Sequence, residues 1–314
     1  MQPLPNQQTY QETRPYLFAV AYRMTGSASE AEDLVHEAWL RYIDAGSPGV
    51  DSLRAYLTTI VSRLSLDYLK SARVRREEYV GPWLPEPVLT MDALPDPAVS
   101  AEQREQVSIA FLTLLDRLTP DQRVVYVLRE AFDLPYDEIA THLGKSASTC
   151  RQIHRRATLR LAEMDAPETH ATTPPPRDLI ERFLTAFASG DTQTIASLLA
   201  PDVAWISDAG PSRLAARRYI TGIDKVSRGL SGLGRKLAAE WPLSYEFHDV
   251  NGTTAVVALL DGEVERVTII DVVDDRAIRV ISIMAPEKLA RFAASIGRRV
   301  AAIHDPRAMP LAAR

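Results

Sequence analysis

The sequence predicts a multidomain chain, two all-α domains followed by an α+β cone. Three observations predict it. Thr119 to Glu163 carries a helix-turn-helix pattern with a basic last helix. An acidic amphipathic helix and a long basic helix precede it, between Ser29 and Glu78. Beyond the three prolines at 174–176 the pattern changes to short helices and then strand-like runs joined by Asn-Gly and Asp-Gly turns.

The chain has 314 residues, 46% hydrophobic and 25% charged, ordinary for a globular protein of two or three domains. Its formal net charge is −5. Cys150 is the single cysteine, which excludes an intramolecular disulfide framework and a cysteine-based zinc site. No cofactor or metal is expected. The opening residues lack a basic and apolar signal pattern, and no apolar run approaches the roughly 20 residues of a membrane span. The expected location is the cytoplasm.

Residues 1–12 are polar and read as loose. A first helix is expected from about Arg14 to Met24, with Leu17, Val20, Ala21 and Met24 inward. Ser29 with Glu32 reads as a capping box opening a second helix. There Ala31, Leu34, Val35, Ala38 and Trp39 form an apolar stripe, opposite Glu30, Asp33, His36, Glu37 and Arg41. Such a face is a solvated surface or a docking surface for a basic partner. After the break at 45–49 a long helix runs from Ser52 to about Glu78. It carries Arg54, Arg63, Lys70, Arg73, Arg75 and Arg76, with Tyr56 and Tyr68 interspersed. Cations with aromatic rings suit a nucleic-acid strand with stacked bases.

Thr119-Pro120-Asp121-Gln122 supplies an N-cap, a first-turn proline and a capping glutamine. Gly144 sits where the turn needs positive φ. In the last helix Ile153, Ala157 and Leu161 face inward. Five Lys/Arg and His154, with no carboxylate, lie between Lys145 and Arg160. In an acidic protein this is a local cationic footprint. Ser148, Thr149, Arg151, Gln152, Arg155 and Arg156 are types that reach phosphates or base edges. The alternative is the solvated face of an ordinary bundle, with Cys150 packing inside.

The two helical parts, in this order, resemble the extracytoplasmic-function sigma factors of bacterial RNA polymerase. AYRMTGSASEAEDLVHEAWLR and AYLTTIVSRLSLDYLKSARVRRE resemble region 2, and LGKSASTCRQIHRRA resembles region 4. The resemblance implies that Asp33, His36 and Glu37 face the polymerase clamp helices. It implies that Tyr56, Arg63, Asp67, Lys70, Ser71 and Arg73 serve the −10 element. Lys145, Ser148, Thr149, Arg151, Gln152, Arg155 and Arg156 would serve the −35 element. Ser62 stands where the family commonly has asparagine.

Residues 79–100 form a proline-rich linker, expected to be extended. Trp83-Leu84-Pro85-Glu86-Pro87 resembles the linker motif of the sigma subclass with a fused C-terminal domain. Trp83 either packs on the adjacent helix or takes part in regulation there. From Arg177 the chain looks like a SnoaL-like domain, carried by RFLTAFASGDTQTIASLLAPDVAWISDAG. Strands are expected at 203–207, 244–250, 254–260, 264–273 and 279–283 as an antiparallel meander, with one or two helical pieces at 222–237. Asp208, Tyr219, His248 and Asp271 are the groups with acid–base capacity, and no pair among them makes a catalytic constellation. Two subclass motifs are altered, to Asp208-Ala-Gly-Pro-Ser-Arg213 and Ala285-Pro-Glu-Lys-Leu289. Their Asp208, Arg213, Lys288 and Leu289, with Trp83, Leu84, Pro85, Glu86 and Pro87, are the candidate interdomain contacts, since the resemblance implies that this linker touches the C-terminal domain.

The expected organisation is region 2 at 1–78, linker at 79–105, region 4 at 106–165 and a proline-rich linker at 166–176. A SnoaL-like regulatory domain at 177–290 and a basic tail at 291–314 complete it. The function implied is promoter recognition for RNA polymerase, controlled in cis by the C-terminal domain. The partners would be core polymerase and promoter DNA, and no enzyme activity is expected. The other reading is a helix-turn-helix regulator with a ligand-sensing or isomerase-like cone.

Overall fold

The computed structural model describes residues 6–47, 49–77, 79, 81–94, 101–163, 175–211, 213, 216, 218–241 and 243–302, the side chains of 73–77 and 101 excepted. The chain forms two compact units. One holds residues 1–78 and 90–169; the other holds 79–89 and 170–314.

The first unit is helical. Helix α1 spans Gln7–Thr25, α2 Ala28–Asp44 and α3 Leu53–Glu77. The expected loose segment up to residue 12 is helical from Gln7. Tyr10 is buried and stacks on Trp39 at 4.3 Å, which carries α1 through Pro15 despite the lost backbone bond. The cap of α2 also differs from expectation. Ser27, not Ser29, accepts the Glu30 N–H at 3.2 Å, because Thr25 fixes it through a hydroxyl–amide bond. Leu57, Val61 and Leu69 line the inner face of α3, and Ser62 is fully buried.

Short helices α4 (Thr90–Ala93) and α5 (Ala101–Glu105) lead to α6 (Ile109–Leu115) and α7 (Pro120–Tyr126). The capping box of Thr119 and Gln122 is formed, with Pro120 in the first turn. One π-helical turn at Val127–Ala131 follows. Then come α8 (Tyr136–Leu143), Gly144 at φ 63, and α9 (Ala147–Glu163). Leu112, Val124, Leu128, Ile139, Cys150 and Ala157 close this core. Arg123, 1% exposed, donates to Asp116 inside it.

The second unit is the α+β cone. Helices α10 (Arg177–Ser189), α11 (Thr192–Leu198) and α12 (Ile223–Glu240) pack on a six-stranded sheet. The strands are β1 (Leu199–Asp208), β2 (Ile220–Thr221), β3 (Leu243–Val250), β4 (Thr253–Leu260), β5 (Glu263–Val273) and β6 (Arg276–Ile283). Their order is β2-β1-β6-β5-β4-β3. The expected antiparallel meander covers β3 to β6 only, since β1 pairs with β6 in parallel. Register shifts in β1/β6, β4/β5 and β5/β6 bend the sheet. The 223–240 helix is single. Its Gly234 lets α10 close in, as a Cβ there would lie 1.8 Å from the Phe187 carbonyl oxygen. Helix α13 (Pro286–Ser295) follows β6, and Val300 bridges to Val264, so the cone's structure continues past residue 290.

Candidate functional site

Helix α9 has two unlike faces. Cys150, Ala157 and Leu161 are buried, and burial pushes the Cys150 thiol up, which keeps it an uncharged packing group. Ser148, Thr149, Arg151, Gln152, Arg155 and Arg156 are exposed on the other face. The Ser146 hydroxyl caps α9, accepting the Thr149 N–H at 3.1 Å and touching the Ser148 and Thr149 hydroxyls at 2.9 and 2.8 Å. The guanidinium of Arg151 lies 5.5 Å from the Tyr136 ring. Lys145 differs from the rest, because it bonds Asp121 at 2.9 Å. A cationic helix face held on a rigid turn fits the major groove of duplex DNA.

The α3 candidates are less uniform. Tyr56 packs edge-on against Tyr42, with ring centroids 5.8 Å apart. Asp67 and Lys70 form an exposed pair at 3.8 Å, and Ser71 donates to the Tyr68 carbonyl at 2.8 Å. Arg73 lies on α3, but its side chain falls outside the described residues. Arg63 points elsewhere. Its Nε donates to the His142 carbonyl at 2.8 Å and its Nη2 to the Thr141 carbonyl at 3.3 Å, so it caps the C-terminus of α8. Beside it the Thr59 hydroxyl meets His142 Nδ1 at 2.6 Å. Burial, reinforced by the charge of Arg63 and opposed by Glu138, lowers the His142 pKa. A second contact joins the same helical groups. Arg23, whose pKa burial lowers to about 10, lies 4.8 Å over Phe132, with Tyr16 edge-on to that ring.

On α2 Asp33 and His36 are exposed and Glu37 is half-buried, pairing with Arg41 at 2.8 Å. Leu40, 42% exposed, sits beside them. This gives an acidic face with an apolar spot.

The tightest constellation lies in the second unit. Asp208, 1% exposed at the end of β1, accepts four bonds. They come from the Tyr79 hydroxyl at 2.6 Å, the Leu84 N–H at 2.8 Å, Lys288 Nζ at 2.6 Å and the Gly210 N–H at 3.1 Å. Lys288 also donates to the Leu84 carbonyl at 2.6 Å, and lies 4.3 Å over the Trp83 ring and 4.9 Å over Tyr79. Asn251 accepts the Val88 N–H on its side chain and returns its own N–H to the Val88 carbonyl. Leu89 bridges to Val250. Leu84, Pro85, Glu86 and Pro87 are buried and Trp83 is half-buried, so residues 79–89 are strapped onto the cone. Burial, and then Asp208, raises the Tyr79 pKa, so its phenol stays a donor.

Two other candidates do not join this cluster. Arg213 donates to the Glu265 and Ala301 carbonyls at 2.7 and 3.0 Å, tying β5 to the segment after α13, and Leu289 is fully buried. Tyr79 and Asn251 were not singled out in the sequence. An Asn-Gly pair signals a turn, and nothing local says that its side chain binds a segment 163 residues away. The four acid–base candidates do not converge. Asp208 is neutralised by Lys288 and Asp271 by Arg279 at 2.7 Å; His248 bonds Glu246 at 3.2 Å, and Tyr219 is 43% exposed. Among the described residues no cluster suits a metal ion, and no helix is long and apolar enough to cross a membrane.

Comparison with known proteins places these elements. Residues 9–75, spanning α1 to α3, match the Sigma-70 region 2 family, and residues 108–161, spanning α6 to α9, match Sigma-70 region 4. Over 286 residues the chain is 38% identical to the ECF RNA polymerase sigma factor SigJ of Mycobacterium tuberculosis, covering 89% of this chain and 91% of that protein. The chain belongs to the ECF RNA polymerase sigma factors. Such a factor acts in transcription initiation, and its regions 2 and 4 bind polymerase and promoter DNA. The probable ECF sigma factor SigI of the same species is 38% identical over 203 residues, covering 62% of this sigma factor and 67% of that one. The crystal structure of Mycobacterium tuberculosis SigJ superposes with a TM-score of 0.69 at 36% identity, covering 90% of this chain and 97% of that one. The sigma factor's C-terminal unit has the expected α+β cone architecture, helices on a bent mixed sheet.

Proposed function

We propose that this sigma factor is controlled in cis by its cone, through the seat that Asp208 and Lys288 make for the linker. The observation that carries the reading is the double grip on Leu84, by Asp208 on its N–H and by Lys288 on its carbonyl. A segment bonded at both backbone groups and buried over 84–88 is withheld from any other partner. The docking of α8 on α3 adds a second restraint, because Arg63 caps α8 while the two stay together. Release of both is a shift between two states, biased by polymerase or by a signal.

In the released state the α2 face with Asp33, His36 and Glu37 docks on the clamp helices of core polymerase. Tyr56, Arg63, Asp67, Lys70, Ser71 and Arg73 hold the opened −10 element. The exposed face of α9, with Lys145, grips the −35 duplex. This work takes place in the cytoplasm, where polymerase is, and involves no catalysis by the sigma factor. Run-off transcription with core polymerase tests the control. Lys288→Met in the full chain is expected to raise the transcript several-fold, on the order of a 1 kcal/mol shift in the closed-to-open balance. A chain ending after residue 165 should respond in the same direction. Equal transcript from the full chain, the variant and the truncation would sink the proposal.

A further inference from the structure

The concave face of the sheet and the helices above it enclose a cavity. Phe183, Phe187, Leu230 and Leu237 form its helical wall and Trp205 one side. About 40 Å3 of the cavity is open to the centre of a water molecule. A space of this size takes a small guest such as a single ring.

The opposite end is polar where strand periodicity calls for apolar groups. Arg266, Thr268 and Ile270 share one face of β5, and Val280 and Ser282 share one face of β6. A sheet face roofed by helices needs no cation, and aliphatic residues would fill it better. The polar groups there are incompletely used. Thr268 and Ser282 hydroxyls sit 3.5 Å apart, and the Trp205 indole N–H is buried with no hydrogen-bond partner among the described residues. Arg266 turns Nε and Nη2 to the Glu265 carboxylate, and its Nη1 has no partner among the described residues. Arg213 shares that carboxylate at 3.4 Å, so two guanidiniums divide one anion, with Glu287 acting on Arg213 from farther off. Burial raises the Tyr245 pKa, which leaves its phenol a donor at the same end.

We propose that this cavity is a binding site for a small one-ring organic carboxylate. The ring lies against Phe183, Phe187 and Leu230, and the carboxylate takes the spare edge of Arg266 with the hydroxyls of Thr268 and Ser282. Arg–carboxylate pairing in an apolar surround gives both orientation and preference for the acid over a neutral isostere.

Calorimetric titration of the full chain with phenylacetate, and with phenylacetamide as the neutral comparator, tests this. The acid is expected to bind with a Kd below about 1 mM, and the amide about tenfold more weakly. Arg266→Met should weaken the acid by at least about tenfold. Val280→Phe, which fills the cavity and keeps Arg266, should abolish binding in a chain whose circular dichroism is unchanged. No binding of the acid at about 10 mM, equal binding of acid and amide, or binding that survives both substitutions overturns the proposal. The titration reads binding alone, so it does not depend on the cis control of transcription.

Discussion

Lys288 pairs with Asp208 at a nearly dry site, its side chain 7% exposed against an Asp208 side chain at 0%. An ammonium tolerates such a place because Asp208, the Leu84 carbonyl and two aromatic faces surround it. Removing one partner of a buried pair leaves the other charge uncompensated. Lys288→Met is therefore expected to destabilise the cone by about 3–5 kcal/mol, read as a lower melting temperature. Adding Asp208→Asn should return part of the loss, on the order of 1 kcal/mol, since the pair is coupled. If the single variant melts like the parent, Lys288 holds nothing. Lys288 was visible in the sequence only in an altered family motif, and Asp208 there and as an acid–base group. The cavity residues Arg266 and Thr268 had a signal of their own, since alternation back from Ile270 puts both on the inner face. Acid–base type drew notice to Asp271 instead, whose charge Arg279 already answers.

Helix α8 rests on α3 through His142, which is 5% exposed. Its pKa lies below the ordinary value near 6.5, with burial as the main cause. Above that value neither the docked nor the undocked histidine carries a proton, and the contact has full strength. As pH falls through about 6.5 the undocked form takes the proton first, and the contact weakens until pH drops below the docked pKa. Hydrogen exchange of α8 amides, corrected for intrinsic rate, should speed up between about pH 7.5 and 5. His142→Gln should remove that trend, and an unchanged wild-type profile would refute it. Elements were legible where their determinants are local, as at the capping box of Thr119 and Gln122, or where a period runs long, as in α9 and β5. They were hidden where a distant partner decides. Tyr10 starts α1 by stacking on Trp39, and β2 is two residues held by β1. The parallel pairing of β1 with β6 joins strands that flank the rest of the sheet in sequence, and no local pattern specifies it.

The order of helical regions and cone was legible over the whole molecule because composition and period change at the prolines. The strap was legible only through the resemblance, which implied that Trp83 to Pro87 touch the C-terminal domain. By composition residues 79–89 read as a tether, yet they group with the cone, because their bonds go to Asp208, Asn251 and Lys288 far along the chain. A synthetic peptide of residues 79–89 should bind a 170–302 fragment with a Kd of about 1–100 µM by calorimetry. No binding near 1 mM would mean that the seat holds only what is covalently tethered. The strap also sets an order in time. Ribosomes make about 5–20 residues per second, and Lys288 is added about 120 residues after the helical unit ends at Thr169. Each new molecule thus spends about 6–24 s with its promoter-reading half complete and its strap without a seat. Unfinished chains still on the ribosome form a short-lived unrestrained pool, whose size follows the rate of synthesis and not the total amount of protein.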